Sequence, residues 1–361
     1  MNLIWLISFL WFKQAQAFPD TIRHGYSNCS TCHVSPTGGG ILTSYGRSLS
    51  RELMSTWGYV NEEQILHGLA GIKTSDETLL YGGDVRYLSR HLESNKDNVG
   101  KTTTDEGFVM QAQLRLGLAW EKIKLIASIG KIENPRTDKE VKLLSPEYYA
   151  LWTPKEEVYL KFGRFEPMHG LRLPDHNLWI NSEAGFVPWA ERDTAEFIYE
   201  GEKQMASLAG FQSTSATSLA MQNTGYLANF YQMIGERSRV GASLLNSEGQ
   251  GFRKRWQSLH STLTLSETTY TMLELSRVLN GGNAREMAFL RFGVEVSKGL
   301  SPYFQVQARR DPNQSNSNQE RYGIGFCWLP RPHFELSGIS EYGQSQGEHS
   351  QDSFLVLHYY L

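Results

Sequence analysis

Three cysteines in 361 residues are too few for a disulfide framework, and 35 Lys plus Arg against 38 Asp plus Glu give a net charge of −3 rather than a basic footprint. A nucleic-acid partner is therefore not expected. A mean hydropathy of −0.41, with no long apolar run beyond the amino terminus, excludes a bundle of membrane-spanning helices. What is present is 33 Gly, 17 Tyr, 17 Phe and 9 Trp within a chain that is 40% apolar. That composition suits β structure with a sizeable core, or with a surface that faces something other than water, and argues against disorder.

The one long apolar stretch, Leu3 to Phe12, is followed by Lys13 and by Ala15-Gln16-Ala17, a small-x-small cleavage pattern. Residues 1–17 read as a signal peptide, with export and a mature chain beginning at Phe18. A retained anchor is the alternative, because Lys13 follows the apolar run instead of preceding it.

Two of the three cysteines lie in Cys29-Ser30-Thr31-Cys32-His33, the C-x-x-C-H attachment pattern of a c-type haem. Two intervening residues let one short turn offer both sulfurs to the vinyl groups of a single haem, while the adjacent imidazole reaches the iron as an axial ligand. A thioredoxin-like redox pair wants a strand before it and a helix after it, whereas this motif is succeeded by Pro36-Thr37-Gly38-Gly39-Gly40. A zinc site needs two further ligands, and there is no second cysteine pair. One covalent haem c is therefore expected on Cys29 and Cys32, with His33 as proximal ligand. The sixth ligand stays open among His24, His67 and Met54, in that order; histidine would give a lower potential than methionine. Met54 falls on a helix expected from Ser48 to Trp57, and the triple glycine lets the backbone pass close to the macrocycle edge.

From about Leu79 the hydrophobic period becomes two. Phe108, Met110, Ala112, Leu114, Leu116, Leu118 and Trp120 alternate with Gln111, Gln113 and Arg115; Ala288 to Val296 and Ile324 to Trp328 repeat the pattern. About sixteen strands are expected, beginning near Leu79, Gly107, Lys122, Glu147, Glu156, Asp193, Lys203, Ala228, Ser238, Arg253, Thr268, Arg285, Ser301, Gln319, Pro332 and Asp352. About ten residues suffice for a tilted strand to cross a bilayer. Tight turns such as Glu121-Lys122, Pro154-Lys155, Lys298-Gly299 and Pro330-Arg331 alternate with longer loops such as Leu92 to Asp105 and Glu166 to Arg192. Short turns on one side and long loops on the other, in even number, describe a transmembrane antiparallel barrel whose termini share one side. The expected class is all-β, with a small N-terminal, mostly α or irregular haem c segment over residues 18–75 and a barrel over 76–361. A soluble sandwich or propeller is the competing reading; no repeat of fixed period supports the propeller.

The closing strand, with Leu355, Leu357, Tyr359 and Leu361 on one face, suits barrel assembly, although Leu361 stands where Phe is usual. The long loop carries Met168, His169, Arg172, Pro174, Asp175, His176, Trp179 and Trp189. That much apolar surface is expected to fold into the lumen as a constriction, against a plain external loop as the competing reading and a metal site from His169 and His176 as a minor alternative. Cys327 falls on the inward face of its strand and is expected to be inert.

Taken together, Arg23-His24-Gly25-Tyr26, Cys29 to His33, Pro36 with Gly38-Gly39-Gly40 and Tyr45-Gly46-Arg47, followed by a barrel, resemble the outer-membrane fusions of a monohaem c-type cytochrome segment to a porin-like barrel. The bacterial iron-oxidising type is their functional model. The resemblance implies an electron-transfer protein in outer-membrane lipid, with a periplasmic electron carrier on one side and an extracellular donor or acceptor on the other. The flanking sequence of the iron-oxidising proteins around C-x-x-C-H is not reproduced, so iron as donor is not implied. The alternative is a solute porin whose haem segment is a plug, sensor or docking module.

Overall fold

The computed structural model describes residues 21, 23–26, 28–58, 78–96, 100–132, 143–144, 147–173, 175, 177–186, 191–212, 223–249, 252–314, 317–345 and 348–361. The expected signal segment, with Leu3 to Phe12 and Ala15 to Ala17, lies outside the described residues, as do His67, Pro174, His176 and Trp189.

Among the described residues the strands run in chain order as β1 (Leu79–Lys96), β2 (Gly100–Ala119), β3 (Ile123–Ile132), β4 (Leu143–Leu144), β5 (Tyr148–Lys155), β6 (Val158–Phe165), β7 (Arg192–Glu200), β8 (Gln204–Gln212) and β9 (Thr224–Ile234). They continue as β10 (Ser238–Gly249), β11 (Phe252–Thr264), β12 (Thr269–Asn280), β13 (Asn283–Val294), β14 (Leu300–Arg310), β15 (Gln319–Arg331), β16 (Phe334–Ser345) and β17 (Glu348–Tyr360). Each pairs antiparallel with its neighbours in sequence, except that β4 and β5 both pair with β3, and β17 closes on β1 from Asp84↔Tyr360 to Lys96↔Glu348. Because β4 and β5 both lie against β3, these strands make a closed barrel of sixteen staves with no free edge, the number expected.

Side chains alternate apolar-out and polar-in, the inverse of a soluble barrel. Leu114, Leu116, Leu118, Leu125 and Ile129 are exposed on the outer wall, where Leu259 is 65% and Ile324 73% open, whereas Gln111, Gln113, Glu196 and Gln305 are buried inside. A continuous apolar band of this extent suits lipid and not water. Among the described residues no helix is long and apolar enough to cross a membrane.

Four details depart from the sequence expectation. The alternation in β2 slips at a bulge between Gln111 and Val109, opposite Arg86 and Tyr87; Met110 and Gln111 are both buried, so Met110 leaves the apolar face on which Leu114 to Leu118 stand. The turns expected at Pro154-Lys155 and Pro330-Arg331 fall two residues later, with Glu157 and His333 at φ of 68° and 64°. A proline has no N–H for the ladder, so each is absorbed in a register shift, at Trp152/Lys155 and Trp328/Arg331, and the strand runs on. The expected loop from Leu92 to Asp105 is paired strand out to Lys96↔Gly100; its exposed polar residues carry β1 and β2 beyond the apolar band. The helix expected over Ser48 to Trp57 begins earlier, as α2 (Ser44–Leu49), because Thr43 caps it by accepting from Gly46 N at 3.0 Å, and it closes in a π turn over Ser50–Met54.

The lumen is filled from both ends. From the side of the tight turns enters the amino-terminal segment, with α1 (Cys29–Cys32) and α2; Thr56 N and Trp57 N donate to Leu329 O and Pro330 O at that rim. From the side of the long loops the 166–191 connection folds inward, as its composition predicts, with α3 (Trp179–Ala184) at its centre. Leu171, Leu178, Trp179, Ile180 and Phe186 of this loop form one buried cluster with Trp256, Met272, Met287 and Phe289 of the inner wall. Val34 and Ile41 form a second with Ile126, Tyr149, Leu151 and Phe165. A third, of Ile198, Met205 and Tyr231, packs on Met168 of the inserted loop, so the apolar patches of the inner wall lie under the two inserted segments.

Candidate functional site

The Cys29–His33 run is a single turn held at both ends. His33 N donates to Cys29 O at 2.8 Å, and Ser30 N reaches Glu200 Oε1 at 3.4 Å. Beyond it the chain doubles back: Val34 N donates to Ile41 O and Thr43 N to Cys32 O, both at 2.9 Å. The reversal depends on Gly38, Gly39 and Gly40, which take successive φ values of 76°, 71° and 68°, a region that side-chain-bearing residues avoid. A Cβ on Gly38 would stand 3.5 Å from Cys29 Sγ, so this glycine also keeps the space beside that sulfur open. The segment is fixed to the wall by Lys161, whose Nζ donates to Ser35 Oγ at 3.2 Å and sits 4.0 Å from the ring centres of both Tyr149 and Phe165.

Cys29, Cys32 and His33 open onto one lumenal cavity of about 480 Å³. That lies within the roughly 300–1,000 Å³ range of cofactor cavities. Its roof is the inserted loop, through Met168, His169 and Arg172; Met54 contributes to its floor, and Arg115, Tyr231 and Arg239 to its walls. Arg172 Nη1 donates to Thr37 O at 3.0 Å and Gly38 O at 3.5 Å, while its Nη2 meets Glu166 at 3.2 Å, so roof and motif are joined directly. Tyr231 OH donates to Gly170 O, Gly170 N to Ser243 Oγ at 3.0 Å, and Leu171 N to Glu274 at 2.8 Å, which pins the loop to β9, β10 and β12.

Burial dominates the electrostatics. It pushes the Cys29 thiol up to about 12, with Glu200 adding to the effect, and the Cys32 thiol up to about 11, so both are neutral SH groups at pH 7. Burial, then the nearby Arg172 guanidinium, lowers His33 to about 4 and leaves its imidazole neutral, the form that binds metals. These residues fit a covalent haem: two thiols and a neutral imidazole in one turn, facing one cavity, with glycine where a side chain would intrude.

Of the residues singled out from sequence, Cys29, Cys32, His33 and Met54 are brought together around this cavity. His24 is not one of the lining residues; it lies near Glu295, which pairs with Arg23 at the rim. Cys327 lines the cavity from the inward face of β15. Sequence reasoning does not place Arg172 against Thr37 and Gly38, nor His169 in the cavity that the motif lines. The only signal available is the apolar content of the loop, which says that it turns inward and not what it meets.

The fold defines a class, the porin-like outer-membrane β-barrels. Among solved structures the chain is similar to OprB of Pseudomonas putida, with TM-score 0.60 and 9% identity, over 86% of this chain and 99% of that one. A loop-deletion mutant of Vibrio cholerae OmpT gives TM-score 0.59 at 9% identity over 79% and 99%. The outer membrane channel DcaP of Acinetobacter baumannii gives 0.55 at 14% identity over 78% and 97%. At these identities the likeness concerns the fold. No family model and no curated protein matches the sequence.

Proposed function

We propose that the chain is an electron-transfer protein of the bacterial outer membrane that carries one c-type haem in the barrel lumen. Cys29 and Cys32 would hold the porphyrin covalently and His33 would bind its iron, where the group would supply one-electron chemistry. The observation that carries this reading is that the three attachment residues of C-x-x-C-H share a cavity inside a lipid-spanning barrel, roofed by an inserted loop. A bilayer core of about 30 Å insulates redox partners from each other. On this reading the cavity would lie between a periplasmic carrier and a donor or acceptor at the extracellular mouth, and the two inserted segments would restrict solute flow.

A second reading is a solute porin whose amino-terminal segment, residues 18–75, acts as a plug, sensor or docking module. Similar barrels favour it, DcaP being an outer membrane channel and the Comamonas acidovorans protein an anion-selective porin. Holoprotein in sealed vesicles separates the two. With reductant inside, oxidation of the haem by a membrane-impermeant external oxidant, together with conductance well below that of an open porin, is expected. High conductance without haem oxidation would establish the second reading and overturn the first.

A further inference from the structure

We propose that His169 of the inserted loop is the second axial ligand of the haem held by Cys29, Cys32 and His33, an inference that rests on the haem reading above. His169 is 2% exposed and lines the same cavity as the motif. Its Nδ1 lies 3.2 Å from the carbonyl oxygen of Pro167. A carbonyl only accepts, so Nδ1 carries the proton and Nε2 carries the lone pair, the arrangement found where histidine binds a metal and its other nitrogen is held by a second shell. The ring is fixed by stacking on Phe186, with centroids 3.7 Å apart and planes 7° from parallel.

The loop is rigid on both sides of this residue. Met168 N donates to Glu196 at 3.1 Å, and Gly170 is held at its N–H by Ser243 and at its carbonyl by Tyr231. It is also tied to the chain reversal that follows the motif, through Arg172 to Thr37 and Gly38. A preorganised imidazole with a committed lone pair is what an axial site demands, and coordination here would join the loop to the amino-terminal segment. Of the sequence candidates, His24 stands at the rim near Glu295, whereas Met54 belongs to the floor. His358 also lines the cavity and has its Nδ1 held in the same way, 3.0 Å from Glu335, but it stands on β17, whereas His169 is on the loop that Arg172 ties to Thr37 and Gly38.

The test is electron paramagnetic resonance and magnetic circular dichroism of purified wild type, His169→Ala, His169→Met and His358→Ala, with heat-modifiable migration as the check on folding. Wild type is expected to be low-spin with two histidine ligands. His169→Ala should become high-spin and recover on adding imidazole, His169→Met should show histidine–methionine ligation, and His358→Ala should match wild type. Histidine–methionine or high-spin spectra in wild type, or an unchanged spectrum in His169→Ala, would overturn the assignment. Should the His169 variants not fold, bis-histidine spectra retained in His24→Ala, His67→Ala and His358→Ala support it, and loss in any of them overturns it. Covalent haem in a wild type without a bis-histidine spectrum defeats this inference alone. No covalent haem in wild type defeats the haem reading beneath it.

Discussion

Replacing Gly46 by alanine sets two effects of opposite sign against each other. Gly46 is in α2 with ordinary helical backbone, so propensity alone would reward alanine by about 1 kcal/mol. The added Cβ, however, would stand 2.9 Å from Cys32 Cα and 3.0 Å from Cys32 C, and closer still to the Cys32 carbonyl oxygen. None of these atoms is the end of a flexible side chain. They belong to α1, which is joined to α2 by Thr43 N→Cys32 O and Thr43 Oγ1→Thr31 O, both at 2.9 Å. Overpacking of about 2–3 kcal/mol therefore exceeds the propensity gain, leaving a net cost of about 1–2 kcal/mol. In hydrogen exchange this is a roughly 5- to 30-fold faster opening of residues 29–49, with the strand amides unaffected. Haem loading should fall in parallel, because the distorted turn carries Cys32. Exchange equal to or slower than wild type would refute the packing argument.

Two further outcomes follow from the same geometry. Leu275, half exposed at the middle of β12, faces lipid, so Leu275→Arg should cost about 2–4 kcal/mol in urea unfolding from lipid vesicles. A cost within experimental error would mean that this face does not meet hydrocarbon. Glu191 precedes β7 and is raised to about 7, chiefly by burial and also by Glu166, and its Oε2 has no hydrogen-bond partner. A raised carboxylate favours the fold while protonated: its contribution is full below its ordinary pKa near 4.5 and is lost as pH rises through 7. Glu191→Gln should thus be neutral at pH 4 and stabilising at pH 8, by at most about 3 kcal/mol and less where water reaches the site. Equal stability of the two proteins at both values would contradict the assigned burial.

The strands were legible because a lipid-spanning stave must alternate without interruption. Runs such as Ala288 to Val296 announce their outward face residue by residue, and the even number with alternating loop lengths implies closure. Errors arose where backbone geometry broke the count. The bulge at Met110 shifts parity without any glycine or proline to mark it. Pro154 and Pro330 look like turn residues and are instead absorbed in the ladder, while Glu157 and His333, poor candidates for positive φ, make the turns. The C-x-x-C-H run stands out in the sequence because its five residues are consecutive. Its surroundings do not: Arg172 meets Thr37 across 135 residues of sequence, and only insertion of both segments into one lumen joins them. The same separation hides His169, which in sequence is one histidine among ten.

The central claim is that the lumenal thiols carry a porphyrin, and mass spectrometry of the peptide containing Cys29 to His33 tests it most directly. The protein should be made in a host with periplasmic haem-attachment machinery, purified from its outer membrane and digested after heating in denaturant. The account predicts that this peptide retains the mass of one haem, and that Cys29→Ala with Cys32→Ala abolishes it while the barrel still shows heat-modifiable migration. A correctly folded wild-type barrel whose two cysteines are both recovered as alkylatable thiols would contradict it.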